Sequence, residues 1–413
     1  MKRVSEHVSQ ARLCALLDAL GGYGARAEGG VDRQAFSDAD LNARRFLTDH
    51  ARSLGCEPFQ DPAGNLFFRR AGAEEALPVV TGSHIDTQPI GGQLDGAYGV
   101  CAGLEVIASL NDSGASTCRP IEVVAWANEE GCRFSPGSTG SAAFVDPQRL
   151  HEFMELADAE GNLYGDCLAK ARQALGDVPV RDLAVPFDSF LELHIEQGPV
   201  LENLGKPIGI VEGVQAVRWF RVSARGAASH AGTTPLAYRK DALRSISRLM
   251  QALYSLAEED GQLRLTIGAV QVLPGAINTV PEQATMTVDM RHPESFTLDR
   301  CEGMLTEHCA APVLGCHIAL ERLMSLEPTR FDPSLKSLLL SATESLGLRQ
   351  MGLMSGAFHD AVHLVRHCPT GMLFVPSRGG ISHNSNEYTS PEELVGGVRV
   401  LAEAIGRRAG VHD

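Results

Sequence analysis

Hydrophobic residues in the first half of the chain follow helix and strand spacings in turn. Helical spacing runs through residues 39–54 and through GAYGVCAGLEVIASLNDSG, where we predict a buried helix that ends at Gly114. Short apolar runs predict strands at NLFFRR, LPVVTGSH and IEVVAWANEEG. Strands that alternate with helices predict an α/β fold with a mostly parallel sheet and helices on both of its faces.

The N-terminal segment MKRVSEHVSQARLCALLDALGG has charges spread through an apolar pattern. This pattern predicts an amphipathic helix rather than a signal peptide, because a signal peptide needs a continuous apolar segment. No stretch of the chain approaches 18 uninterrupted apolar residues, so the sequence predicts no membrane span.

The pattern of the chain changes near residue 213. Four stretches have strand character, namely RWFRVSARG, RLTIGAVQVL, ATMTVDMRH and CHIALERLMS. Two predicted helices lie among them, RKDALRSISRLMQALYSLAEE and FTLDRCEGMLTEHCAA, and the resulting order is β-α-β-β-α-β. This order predicts a smaller α+β domain with helices on one face and a free face or edge that can pair with a second copy.

The first pattern returns after Pro328, with a helix at 333–346 and the apolar run GMLFVPS. The chain therefore leaves its main domain, builds a second one and comes back. The predicted boundaries are 1–212 and 327–413 for the main domain, and 213–326 for the inserted domain.

Composition narrows the choice of partners and compartment. The chain carries a formal net charge of -15, which argues against nucleic acid or an anionic membrane as a partner, because either would need a basic surface. Its 10 cysteines include no CxxC pair, so they are predicted to be free thiols in a reducing compartment. A cytoplasmic location is the expectation.

Histidine and acidic side chains follow four of the predicted strands. They are His84 and Asp86 after LPVVTG, Glu129 and Glu130 after EVVAWAN, His194 after FLEL, and His383 after MLFVPS. The carboxyl ends of parallel strands form a common crevice, so we expect these side chains to converge. Imidazole and carboxylate ligands without clustered thiolates suit Zn, Mn, Ni or Co.

The number of candidate ligands suits two divalent ions. Asp95 is the natural bridge between them, because the glycines of GGQLDG let the backbone come close. Asp86 is placed two residues after His84 and is expected to fix the tautomer of that ring. The adjacent Glu129 and Glu130 would repel each other unless a cation or proton intervenes, so one is expected to bind metal and the other to act as general base.

Several ordered motifs give the chain a family resemblance. They are GSHIDTQPIGGQLDG, NEEGCRF, ELHIEQGPVLE, SHAGTTP, PGAIN…DMRHP, SGAFHDA and GISHNSNE. In this order, and over roughly residues 38–405, they resemble the hydantoinase/carbamoylase branch of the M20 metallo-amidohydrolases. That branch contains N-carbamoyl-L-amino-acid hydrolase, β-ureidopropionase and allantoate amidohydrolase.

The resemblance implies an activity and an assembly. The chain would cleave the ureido C–N bond of an N-carbamoyl-L-amino acid or of N-carbamoyl-β-alanine, and release amino acid, ammonia and carbon dioxide. It would do so as a homodimer, in which 1–212 and 327–413 form the catalytic domain and the inserted domain, 213–326, is the lid and dimerisation domain. The resemblance also implies the metal centre: His84 and His194 would hold one ion, Glu130 and His383 the other, Asp95 would bridge them and Glu129 would be the general base.

Residues of the predicted lid domain also receive roles from the resemblance. His230, in SHAGTTP, and Asn278 would reach in from the partner subunit and stabilise the oxyanion. Arg291, in DMRHP, would clamp the substrate carboxylate, which agrees with the planar, bidentate geometry of a guanidinium.

The remaining implied substrate contacts lie in the catalytic domain. Gln197, in HIEQGP, would touch the substrate, and a loop containing Ser355, Gly356 and His359 would close over it. Phe358 departs from the family pattern, which has a small residue at this place in SGAFHDA. The size of the substrate is therefore left open.

Three other functions remain open at this point. The first is an allantoate amidohydrolase or a related aminoacylase or peptidase, although TQP after Asp86 is more similar to the carbamoyl enzymes. The second is a non-catalytic protein that binds small acids at glycine-rich strand ends, which would leave the Glu129–Glu130 pair unexplained. The third is a catalytically inactive scaffold, which is disfavoured because all five ligand positions and the base are filled.

Overall fold

The structure is a computed structural model that describes residues 3–412 and divides into two compact units. Unit 1 contains the chain up to Glu212 and again from Arg330, and unit 2 is Gly213–Thr329. Within the described residues, no helix has the length and apolar character needed to cross a membrane.

The strands are numbered in chain order. They are β1 (Glu57–Gln60), β2 (Leu66–Arg70), β3 (Val79–His84), β4 (Ser116–Thr117), β5 (Ile121–Trp126), β6 (Ser189–Ile195), β7 (Ile208–Val214), β8 (Ala216–Arg225), β9 (Ser229–His230), β10 (Arg264–Leu273), β11 (Thr279–Val280), β12 (Gln283–His292), β13 (His317–Leu326), β14 (Thr329–Arg330), β15 (Gln350–Ser355), β16 (Thr370–Val375) and β17 (Val411–His412).

The helices are numbered in the same way. They are α1 (Gln10–Gly21), α2 (Asp38–Ser53), α3 (Ala97–Ser113), α4 (Thr139–Val145), α5 (Arg149–Met154), α6 (Tyr164–Ala174), α7 (Val200–Asn203), α8 (Ala242–Glu259), α9 (Ser295–Ala310), α10 (Pro333–Ser345), α11 (Ala361–Leu364) and α12 (Pro391–Ala409). Short 3-10 turns occur at Val4–His7, Leu236–Tyr238 and Arg378–Gly380.

The large sheet has the strand order β1-β2-β5-β3-β6-β16-β7-β14, and β15 also pairs with β7. Its four central strands, β5, β3, β6 and β16, run parallel, and antiparallel strands flank them on both sides. Every residue of these central strands is buried, so both faces are covered, as parallel strands require. The predicted fold class of the main domain is confirmed.

Helix α3 lies across the sheet and leads directly from the candidate site. It is buried from Ala97 to Leu110 and packs against β3, β5 and β6. It ends at Gly114, which adopts the left-handed conformation of a helix C-cap, as the sequence predicts. Its N-terminus follows the loop of Asp95, so packing of this helix fixes where that carboxylate lies.

Unit 2 has an antiparallel sheet in the order β10-β12-β8-β13. Alternate residues of β12, such as Met286 and Val288, are buried against Ile246 and Leu249 of α8 and Leu298 of α9. The order of these elements along the chain is the predicted β-α-β-β-α-β, and this part of the fold prediction is also confirmed.

The N-terminal helix is shorter than the sequence pattern indicates. Helix α1 begins only at Gln10, after a 3-10 turn at Val4–His7, and the first two residues lie outside the described part of the chain. Ser9 is the reason for the late start, because it is extended and its hydroxyl accepts the backbone N–H of Arg12 as an N-cap.

Candidate metal centre

The predicted ligand residues lie at the carboxyl edge of the large sheet. His84 is the last residue of β3, and His194 is the last but one of β6. Glu129 and Glu130 follow β5, and His383 lies in the loop between β16 and α12. Four neighbouring strands therefore deliver these side chains to one place, as expected for a parallel sheet.

Asp95 stands between two groups of donors. Its Oδ1 is 3.8 Å from Nε2 of His84 and 3.2 Å from Nε2 of His194. Its Oδ2 is 3.1 Å from Nε2 of His383, and that nitrogen is 3.5 Å from Oε2 of Glu130. The structure thus forms one donor group from His84, Asp95 and His194, and a second from Asp95, Glu130 and His383.

Both buried histidines present Nε2 to Asp95. The Nδ1 of His84 is 2.9 Å from the backbone carbonyl of Asp86, and the Nδ1 of His194 is 2.8 Å from the carbonyl of Ile195. A carbonyl oxygen can only accept, so each neutral ring carries its proton on Nδ1 and has an Nε2 lone pair towards the donor group. This is the tautomer that binds a metal ion.

Gly96 allows the loop after Asp95 to pass the ring of His84. It has φ 65°, and a Cβ at this position would lie 2.3 Å from Nε2 of His84. A larger residue would therefore displace the ring or the loop that carries Asp95.

The side chain of Asp86 does not hold the His84 ring in the way that the sequence predicts; its backbone does. Its backbone carbonyl accepts the His84 bond, while its carboxylate Oδ1 lies 3.7 Å from Nδ1. The two carboxylate oxygens instead accept the backbone N–H groups of Glu129 and Glu130, each at 3.1 Å. The Asp86 side chain therefore orders the turn that carries both glutamates.

The two adjacent glutamates diverge. Oε2 of Glu129 is 3.5 Å from Nε2 of His84, and Glu129 belongs to neither donor group. Glu130 points to His383, and its Oε2 accepts a 2.7 Å hydrogen bond from the amide of Gln88. The sequence does not single out Gln88, although it stands two residues after Asp86.

The electrostatics of the site fit bound cations. Burial raises the pKa of Glu129 well above its usual range, and the carboxylates of Asp360 and Glu130 add to the shift. Burial, with a further contribution from Asp95, raises the pKa of Glu130 to about 8. Carboxylates this close cannot all be ionised unless positive charge binds among them. Divalent ions supply that charge, and the imidazole and carboxylate donors present fit such ions.

Gln197 contacts the carboxylate of Asp95. It has a left-handed backbone with φ 58°, and its amide donates a 2.9 Å hydrogen bond to Oδ2 of Asp95. Its Oε1 is buried and has no hydrogen-bond partner among residues 3–412. An unsatisfied buried acceptor next to the donor groups is what a contact with a bound ligand would use.

The predicted substrate loop lies beside His194. The ring of His359 is 4.7 Å from that of His194 between centroids, and Ser355 Oγ is 2.9 Å from Nε2 of His359. Gly356 lies between them in sequence. Phe358 is 38% exposed, so its ring covers part of the surface of this loop.

The three other predicted residues belong to unit 2. His230 lies in β9 opposite Thr279 of β11, and the N–H of Ala231 donates to the carbonyl of Asn278. The exposed His230 ring accepts the backbone N–H of Gly232 on Nδ1 at 3.0 Å, so its own proton is on Nε2. Arg291, in β12, forms a 2.7 Å ion pair with Asp289.

Imidazole and carboxylate donors at the carboxyl edge of an α/β sheet, with a further carboxylate alongside, define the class of metal-dependent hydrolases. The chain belongs to the peptidase family M20/M25/M40, whose sequence profile matches residues 80–407. Members of this family depend on metal ions. The resemblance that the motifs indicate is confirmed.

The names of similar proteins agree with the family that the motifs indicate. An N-carbamoyl-L-amino-acid amidohydrolase of Rhizobium meliloti is 36% identical over 407 residues, which are 97% of each chain. An allantoate amidohydrolase of Escherichia coli (strain K12) is 35% identical over 389 residues, 93% of this chain and 94% of that one. The crystal structure of a hydantoinase/carbamoylase family amidase from Burkholderia multivorans has a TM-score of 0.93 and 40% identity, over 97% of this chain and 98% of that one.

Proposed function

We propose that the protein hydrolyses the ureido C–N bond of N-carbamoyl amino acids and releases the amino acid, ammonia and carbon dioxide. The observation that carries this proposal is the position of Asp95. Its two carboxylate oxygens face two separate donor groups, and Glu129 lies beside them without belonging to either. The carbonyl of a ureido group is a poor electrophile, because both of its nitrogens donate electrons into it. A metal centre at this place would polarise that carbonyl and activate the attacking water.

Two divalent ions per subunit are part of the proposal. His84 and His194 would hold one, Glu130 and His383 the other, and Asp95 would bridge them; zinc, manganese, nickel or cobalt suit these ligands. When bound, such a pair of ions lowers the pKa of water and polarises a carbonyl oxygen. Asp86 serves this centre by holding the backbone of the Glu129–Glu130 turn.

Glu129 is proposed as the general base. It would take the proton of the attacking water and deliver it to the leaving nitrogen. Its position near Nε2 of His84, at 3.5 Å, supports this role because it places the carboxylate at the edge of a donor group.

Residues 213–326 are proposed as a lid and dimerisation domain of a homodimer. His230 and Asn278 would act from the partner subunit and donate to the developing oxyanion. The proton on Nε2 of His230 supports this, since that nitrogen is then a donor. One well-placed oxyanion donor contributes about 3–4 kcal/mol to catalysis. Arg291 would bind the substrate carboxylate in exchange for Asp289.

Gln197 and the loop of Ser355, Gly356 and His359 are proposed to bind the substrate near the metal centre. The free Oε1 of Gln197 can accept a ureido N–H, which would satisfy a buried acceptor. Phe358, exposed on the same loop, is placed to limit the size of the substrate.

A panel of substrates tests the proposal. The purified protein, supplied with Mn²⁺ or Zn²⁺, is assayed for ammonia release from N-carbamoyl-L-amino acids, N-carbamoyl-β-alanine and allantoate. We expect the highest kcat/KM on an N-carbamoyl amino acid. An α and a β substrate differ by one methylene, which a pocket separates by only about 10- to 200-fold. No ammonia from any of these substrates would contradict the proposal.

Allantoate hydrolysis is the second candidate. It is favoured by the 35% identity to the Escherichia coli allantoate amidohydrolase over 93% of this chain. The same centre would serve it, because allantoate also carries ureido groups. A kcat/KM for allantoate above that for every N-carbamoyl amino acid would establish this alternative.

A cytoplasmic location also remains a proposal. The 10 cysteines of the chain are free thiols in the structure, which agrees with a reducing compartment.

A further inference from the structure

Glu387 lies under the loop that carries Asp95. Its side chain is buried, and its Oε1 accepts the backbone N–H groups of Leu94 at 2.9 Å and of Asp95 at 3.0 Å. Its Oε2 accepts a 2.9 Å hydrogen bond from the hydroxyl of Ser382, the residue before His383. One carboxylate therefore joins the Asp95 loop to the His383 loop.

Ser382 strengthens this connection. Its hydroxyl oxygen is 3.2 Å from Oδ2 of Asp95 and 2.9 Å from Oε2 of Glu387. The Oδ2 atom is the one that faces His383. The Ser382 hydroxyl thus lies between the Asp95 carboxylate, which faces both donor groups, and the Glu387 carboxylate, which holds the backbone of Asp95.

Gly92 shows how closely the two loops fit. A Cβ at this position would lie 2.1 Å from Oε1 and 2.3 Å from Cδ of Glu387. These distances are far below van der Waals contact, so a side chain at residue 92 would push the Glu387 carboxylate away from Leu94 and Asp95.

The two donor groups differ in how their histidines are held. His84 and His194 are buried, and a backbone carbonyl fixes the Nδ1 of each. The side chain of His383 is 49% exposed, and its backbone is left-handed with φ 53°. No hydrogen bond to its Nδ1 occurs within the described part of the chain. His383 therefore depends on its loop for its position.

We propose that Glu387 is a positioning residue that sets the distance between Asp95 and His383, and so controls metal binding in the group formed by Asp95, Glu130 and His383. The inference rests on the proposed two-ion function. Glu387 acts through its neighbours, because its oxygens are used by two backbone N–H groups and one hydroxyl. The group of His84, Asp95 and His194 depends less on it, because buried strands hold both rings and the packing of α3 also fixes the loop of Asp95.

Manganese binding tests the inference. Chelator-treated protein is titrated with Mn²⁺, free Mn²⁺ is measured by electron paramagnetic resonance, and the spectrum of the bound ions is recorded. Wild type should bind two ions and show the signal of a coupled pair. Glu387→Ala should weaken one ion by about 10- to 100-fold, keep the other within threefold and lose the coupled signal.

A conservative variant and a matched control separate positioning from folding. Glu387→Gln should restore both ions, because an amide oxygen can still accept the two N–H groups. Glu393→Ala removes a carboxylate that caps α12 in the same region but has no contact with Asp95. It should lower thermal stability and leave both Mn²⁺ affinities unchanged.

The contact between Gly92 and Glu387 gives a second test. Gly92→Ala should weaken the same ion as Glu387→Ala, and the double variant should be no worse than the single ones, because the clash disappears with the side chain. Additive losses would show that the two residues act separately and would overturn the proposed fit.

The outcomes distinguish this inference from the function on which it rests. Wild type that binds fewer than two ions contradicts the two-ion centre itself. A different result overturns only the role of Glu387: wild type binds two ions, and Glu387→Ala leaves both Mn²⁺ affinities unchanged or weakens both equally. If Glu387→Ala does not fold, Ser382→Ala decides: it should weaken one ion several-fold, and wild-type binding by this variant would overturn the inference.

Discussion

Asp95 is the residue on which both donor groups depend. Its two oxygens lie at comparable distances, 3.2 Å and 3.1 Å, from histidine nitrogens on opposite sides. Gly96 must follow it, because any Cβ there would meet the His84 ring. A change at Asp95 is therefore expected to remove both donor groups together, whereas changes at the other four side chains affect one group each.

Glu129→Gln should separate catalysis from metal binding. Glutamine keeps the shape of the side chain but cannot take up the proton of the attacking water. We expect kcat to fall by about 10²- to 10⁴-fold with the content of bound metal unchanged. Steady-state ammonia release and elemental analysis of the same preparation measure the two quantities.

Glu130→Gln is the matched control for this prediction, because it alters the neighbouring glutamate within a donor group. It should lower both activity and metal content. Glu129→Gln that retains wild-type kcat, or that loses metal as Glu130→Gln does, would show that the two roles are assigned wrongly.

The sequence could reveal the donor residues because each follows a strand or a glycine-rich loop. His84, His194 and Glu130 have this signature, and the structure brings them together with Asp95 and His383. Gln88 and Glu387 escape the same reasoning. They act by holding another side chain or a backbone N–H, and such contacts leave no pattern of residue type or spacing.

At the scale of helices and strands, periodicity locates the elements that are long or fully buried. The runs predicted at β3, β5 and β10 agree with the observed strands, and α3 ends at the predicted glycine. The hydrophobic pattern does not predict short elements such as α4 and α5, since six or seven residues are too few to show a helical period.

The hydrophobic pattern also does not predict helix α12, although the start of this helix carries a clear capping signal. Ser390 and Glu393 form a capping box, with proline at the first turn. The late start of α1 at Gln10 is the opposite case, in which an apolar pattern continues across an N-cap at Ser9. Local capping hydrogen bonds decide both boundaries, and hydrophobic spacing alone does not contain them.

His363, in α11, makes stability depend on pH. Burial, together with the charges of Arg149 and Arg366, lowers its pKa from 6.5 to about 4. The folded state disfavours the charged ring, so its contribution to stability is complete above pH 6.5 and is lost as the pH falls towards 4. His363→Gln should remove this loss, so its free energy of unfolding should fall less than that of wild type over this range.

Urea unfolding of chelator-treated protein at several pH values measures the effect. His151→Gln replaces an exposed histidine of α5 and should reproduce the wild-type dependence. Parallel curves for wild type and His363→Gln between pH 6.5 and 4 would show that the ring makes no such contribution.

At the scale of the whole molecule, the proposed dimer makes a prediction about mixed subunits. Glu129→Gln and His230→Ala should each be nearly inactive. If His230 acts from the partner subunit, a mixed dimer contains one site with both native residues. Random reassociation of equal amounts should then restore about a quarter of wild-type activity.

Each variant reassociated with itself provides the control for this mixture. Mixed subunits that stay as inactive as the separate variants, in a preparation shown to exchange subunits, would place His230 in the site of its own chain or outside catalysis. A monomeric protein with full activity would contradict the proposed assembly as a whole.

The central claim is that one carboxylate, Asp95, lies between two metal ions. Anomalous diffraction from crystals grown with Mn²⁺, recorded at the manganese absorption edge, tests it most directly. We expect two peaks per chain, roughly 3.5–4 Å apart, on either side of the Asp95 carboxylate. A single peak, or two peaks that do not share Asp95, would contradict this account of the site.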